Sequence, residues 1–81
     1  MNIKKINSNI WVDDYIIEFK YETKRKNKKV QKRLITHATE KLATRDFWLW
    51  VNAFNTDYEY RAMLNVEILS VEKINGRYIN L

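Results

Sequence analysis

The sequence predicts an α+β domain: a small antiparallel sheet of two hairpins in ββ-α-ββ order, with one main helix packed on a face. Three observations carry that prediction. A two-residue alternation runs from Tyr15 to Thr23, a helical apolar stripe runs from Ala43 to Phe54, and Asn75-Gly76 separates two β-branched runs near the C-terminus. With 81 residues the whole chain, 1–81, is expected to form one domain, because too little remains for a second core. Core material is plentiful: 46% of residues are hydrophobic and 14% aromatic, which argues against disorder despite 31% charge.

In chain order, Ile3, Ile6, Ile10, Trp11 and Val12 suggest a further edge strand after an Asn7-Ser8-Asn9 turn. Asp13-Asp14, set between apolar runs, reads as a turn. Tyr15, Ile17, Phe19 and Tyr21 then fall on one face and Glu18, Lys20 and Glu22 on the other, with Ile16 as the exception; this is a half-buried strand. The polar stretch Lys24–Lys29 reverses the chain, and residues 30–37 form a second strand, making a hairpin with a basic tip. Ala43, Phe47, Trp50, Val51 and Phe54 share one side of a helical wheel, so a helix is placed at about residues 40–54. Thr39 before Glu40, or Thr44 before Asp46, would cap its free N–H groups. Asn55-Thr56-Asp57 offers a stop, and residues 58–64 a short second helix or an irregular return. The run 65–74, the Asn75-Gly76 turn and residues 77–81 complete a second hairpin, since both turn residues tolerate positive φ.

Composition excludes several function classes. With no cysteine there is no disulfide, thiolate metal ligand or cysteine nucleophile, and a reducing cytoplasm is the expected location. The basic N-terminus is followed by no apolar run of the kind a signal peptide needs, and no stretch is apolar enough to span a bilayer. A single glycine and no proline rule out glycine-dependent phosphate loops. No catalytic group is assigned: His37 stands alone at a strand end, and Ser8 and Ser70 lack any elbow glycine. No metal or cofactor is expected, since Asp13-Asp14 supplies too few convergent oxygens for a cation.

Charge is the sharpest signal. Of fifteen basic residues seven lie in one acid-free stretch, Lys24, Arg25, Lys26, Lys28, Lys29, Lys32 and Arg33, leaving eight against ten acids elsewhere. A protruding basic hairpin suits phosphate, by counterion release, or an acidic protein surface. The same residues also suit a plain solvated turn whose lysines discourage edge pairing. Among the aromatics, Phe47, Trp50 and Phe54 read as core. Trp48 lies off that stripe, either as a partner anchor or packed against a loop or the 57–64 segment.

The length, the basic hairpin at Lys24–Lys29, and the run from Thr36 through Phe54 into residues 66–74 resemble the small accessory proteins of bacteriophages. Many of those inhibit host defence, as anti-CRISPR proteins do. The resemblance lies in architecture and pattern and carries over no functional residue. It implies stoichiometric, non-enzymatic binding to a host protein or nucleoprotein complex in the host cytoplasm. Because the pI is near 9.6, insertion into an acidic cleft or contact with bound nucleic acid fits better than nucleic-acid mimicry. The alternative expectation is a sequence-nonspecific nucleic-acid-binding protein using the hairpin itself. Self-association through a sheet edge such as residues 77–81 is a third expectation.

Overall fold

The protein is described here by a computed structural model covering residues 9–80. Ile3, Ile6, Asn7, Ser8 and Leu81, which figure in the sequence reading, lie outside the described residues. The elements are β1 (Asn9–Glu22), β2 (Lys28–His37), α1 (Glu40–Asp57), a 3₁₀ turn (Glu59–Arg61) and β3 (Leu64–Asn80). They form one three-stranded antiparallel sheet in the order β2-β1-β3, with α1 across one face. The α+β class is as expected; the order is β-β-α-β, with one hairpin instead of two.

That difference has two causes, which face each other across β1 and β3. Asp13-Asp14 is not a turn: both residues continue β1, opposite His37 and Thr36 of β2. They are tolerated inside a strand because each carboxylate is satisfied. Asp13, 8% exposed, accepts from the Trp11 indole N–H at 2.9 Å and from the Tyr15 hydroxyl at 3.4 Å. Asp14, on the opposite face, accepts from Thr36 Oγ1 at 2.5 Å and Arg77 Nη1 at 2.7 Å. With β1 prolonged to Asn9, β3 has a partner along its whole length and needs no return.

Asn75-Gly76 accordingly forms no hairpin. Residues 64–80 are a single strand, and Gly76 pairs directly with Asp13 without a positive φ. The register steps just beside it, where Asp14 of β1 faces both Ile74 and Asn75 of β3, so the dipeptide marks a bulge. The glycine is needed for space instead: a Cβ there would overlap the Trp11 ring and the Asp13 carboxylate. An aromatic ring laid across a strand glycine from the neighbouring strand is a recurrent means of protecting such a site. Two further register steps lie along β3, and at the one opposite Tyr21, Asn65 takes a φ of 51°, a conformation asparagine tolerates better than most residues.

The pleat of β1 decides what is buried. Ile17 and Phe19 point toward α1 and are fully covered, packed with Phe47, Val51 and Met63. Tyr21, Ile35, Trp50, Phe54, Val66, Ile68 and Val71 surround them. Each such large apolar side chain contributes about 1.5–3 kcal/mol on burial. The helix starts where Thr39 caps it, its side chain accepting from Leu42 N–H at 3.2 Å, and it extends through Asp57, three residues past the expected end. Asn55, expected near a stop, lies inside the last turn and reaches out to Met63, the residue before β3. Its amide accepts from Met63 N–H at 2.7 Å and donates to Met63 C=O at 3.0 Å, closing the α1–β3 connection. Among the described residues no helix is long and apolar enough to cross a membrane.

Candidate functional site

The same pleat that builds the core also sorts the charges. Along β2, Lys28 and Lys32 stand opposite Glu22 and Glu18 of β1, on the face without a helix. Lys32 Nζ lies 3.9 Å from Glu18, and Lys20 pairs with Glu67 at 3.2 Å on that same side. Opposite charges thus compensate one another across the bare face, each exposed pair worth little on its own. Lys29 and Arg33 project to the helix side, where their β1 partners are Tyr21 and Ile17. Arg33 stacks on Trp50, its guanidinium carbon 4.0 Å from the ring centroid, which assigns it a packing contact with the core.

Lys29 has a different setting. It lines a groove of about 450 Å³ formed between the β1–β2 turn, the start of β2, the end of α1 and the 3₁₀ turn. The groove's cations are Lys24, Arg25, Lys29 and Arg61; its rings are Tyr21, Phe54 and Tyr60. Among the described residues no carboxylate lines it. The turn that supplies Lys24 and Arg25 is fixed by hydrogen bonds from Lys26 N–H to Thr23 C=O at 2.8 Å and from Thr23 N–H to Asn27 C=O at 2.9 Å. Lys26 pays for the tightness with a φ of 64°, in the left-handed region that glycine fills more readily. Across the groove, the Asn55–Met63 pair anchors the 3₁₀ turn that presents Tyr60 and Arg61.

The seven expected cations therefore separate into four settings. Lys24, Arg25 and Lys29 converge on the groove; Lys28 and Lys32 face the bare, charge-compensated side; Arg33 covers Trp50, and Lys26 stays exposed in the turn outside the lining. Arg61 joins the first group from a segment 28 residues beyond Arg33, and no local signal in the sequence marks it. Tyr21 shares a face with Lys29 through the hairpin register.

Trp48 lies outside the groove lining. It is 39% exposed on the outer side of α1 beside Leu49, with its ring edge-on to Phe47 at 5.2 Å between centroids. His37 joins β2 to α1: Nδ1 accepts from Ala38 N–H at 2.8 Å and Nε2 lies 3.4 Å from Asp46. Hydrogen bonds from Thr36 and then Arg77 hold the Asp14 carboxyl below its ordinary range, while burial and then the Asp13 charge hold the Tyr15 phenol above its own. Among the described residues no cluster of three or more His, Asp or Glu side chains is placed to hold a metal ion. Both sheet edges carry features that discourage pairing, lysines on β2 and register steps on β3. Comparison with protein-family models, with curated proteins and with solved structures finds no match to this chain.

Proposed function

We propose that this chain is a non-enzymatic binding protein that grips the phosphate backbone of nucleic acid, free or within a nucleoprotein complex, without reading its sequence. The observation that supports this most is the convergence of Lys24, Arg25, Lys29 and Arg61 on one groove with no acid among the described lining residues. Cations gathered on one groove without a carboxylate in its lining are a phosphate-binding arrangement, and each contact gains by releasing counterions. With about four cations engaged, log affinity should fall against log salt with a slope of about −3 to −4.

The test is fluorescence anisotropy with a labelled random-sequence oligonucleotide at several salt concentrations. The expected result is that slope for the native chain and loss of binding in Lys24→Glu/Arg25→Glu/Lys29→Glu. No binding at low salt, or unchanged binding by the triple variant, would overturn the reading. The triple variant should stay folded, since all three side chains are exposed.

The second reading, a phage-type stoichiometric inhibitor of a host defence protein, draws on the outer side of α1, where Trp48 and Leu49 are both exposed. Tryptophan is enriched where interfaces are held most tightly. A pull-down that recovers a discrete host protein after nuclease treatment, and loses it in Trp48→Ala, would move this reading to first place.

A further inference from the structure

We infer that the groove selects unpaired strands, with Tyr60 stacking on an exposed nucleobase while the surrounding cations hold the flanking phosphates. The inference rests on the phosphate-binding reading and adds to it which form of nucleic acid is held. Tyr60 is 73% exposed, and it is adjacent in sequence to Arg61, which lines the same groove. The backbone beneath this open ring is held in place. The 3₁₀ turn carrying it is fixed by Arg61 N–H donating to Tyr58 C=O at 2.8 Å and by the paired hydrogen bonds of Asn55 to Met63. Fixing the backbone that carries a ring before its ligand arrives removes part of the ordering cost of binding.

The other rings, Tyr21 and Phe54, are half-buried in the groove wall, and Met63 is buried beneath them. The cavity thus offers an apolar wall, an exposed ring and a cationic rim within about 450 Å³, inside the size range of small-ligand pockets. In a duplex the base faces are already stacked on one another, so only phosphates would reach the rim and the rings would gain nothing. An unpaired strand offers a base face to the ring and phosphates to the cations together. An acidic peptide could satisfy the cations but has no flat π-face to place on Tyr60.

The experiment compares a labelled single-stranded oligonucleotide with a duplex of the same length in the same salt, for the native chain, Tyr60→Ala, Tyr60→Phe and Lys29→Glu. The native chain should prefer the single strand by about tenfold or more. Tyr60→Ala should weaken single-strand binding by roughly 5- to 100-fold and leave duplex binding and the salt slope unchanged. Tyr60→Phe should retain the native preference, and Lys29→Glu should weaken both ligands. Equal or tighter duplex binding, an equal loss for both ligands in Tyr60→Ala, or displacement of the single strand by poly-glutamate at equal charge concentration would overturn the inference while leaving the phosphate-binding reading standing or redirected to protein. Failure of both nucleic acids to bind would overturn both readings.

Discussion

The two ends of the sheet are built on opposite principles. At the turn end, β1 and β2 meet in a short loop whose residues interact with their near neighbours, and the cations stay exposed. At the other end, β1 and β3 continue past the last residue of β2 as a two-stranded ribbon, Asn9–Val12 against Arg77–Asn80. There Trp11 packs edge-on against Tyr78 at 4.9 Å, lies over Gly76 and donates to Asp13. Every one of those contacts but the last crosses more than sixty residues of sequence. Local signals suffice only where the contacts are local. A turn made of its own neighbours can be read from a short window, whereas a ribbon made of distant ones cannot.

What the two ends share is the core between them, so the strongest test removes it. Phe47→Ala, at a fully buried position in contact with Phe19 and Trp50, should cost about 3–5 kcal/mol. In a domain this small that is a large part of the total stability. Both ends should then melt together in a denaturant titration followed by circular dichroism and by the Trp11 indole N–H resonance. Persistence of the Trp11 signal after loss of helix would mean the ribbon stands by itself, independent of the core.

The next effect belongs to the ribbon. Gly76→Ala should lower stability by about 1–3 kcal/mol, because the new methyl group displaces the Trp11 ring and disturbs the hydrogen bond to buried Asp13. In a Trp11→Ala background the same change should cost measurably less, since the overlapping ring is gone. Equal costs in the two backgrounds would place the constraint in the backbone turn that the Asn-Gly dipeptide suggests, and not in the cross-strand contact.

At the turn end, Asn55→Ala removes both hydrogen bonds to Met63 and should cost about 1–2 kcal/mol. It should also weaken oligonucleotide binding, by releasing the segment that presents Tyr60 and Arg61, although Asn55 does not line the groove. Stability loss without any change in binding would detach the groove from that anchor.

The smallest effect is pH-dependent. Because Thr36 and Arg77 lower the Asp14 pKa below its ordinary 3.8, this carboxylate contributes stability that is present above that value and lost as pH falls through the lower folded-state pKa. Urea midpoints of the native chain and Asp14→Asn should therefore differ near neutral pH and converge in acid. A difference that persists at the lowest pH would assign the role of Asp14 to packing.

Much of the fold was legible for identifiable reasons. The β1 alternation and the α1 stripe are each written in a window shorter than the element they specify, and the Lys24–Lys29 run overlaps the turn at residues 23–27. The hairpin tip and the helix could therefore be placed within a few residues, whereas β1 begins at Asn9, six residues before the alternation. Asp13-Asp14 and Asn75-Gly76 misled because their side chains are satisfied, or their space filled, by residues on another strand. The candidate site divides the same way: Lys24, Arg25 and Lys29 were visible as a charge run, while Tyr60 and Arg61 joined them only through the α1–β3 connection.

A basic hairpin, one amphipathic helix and enough aromatic surface for a core are written in the chain locally, because periodicity and charge act over a few residues. Tertiary structure alone decided that β3 runs unbroken beside β1, and which of the seven cations are neutralised, stacked or left facing the groove. The physical reason is the pleat: neighbouring residues on a strand face opposite sides, so the partner of each charge is set by cross-strand register and not by its neighbours along the chain.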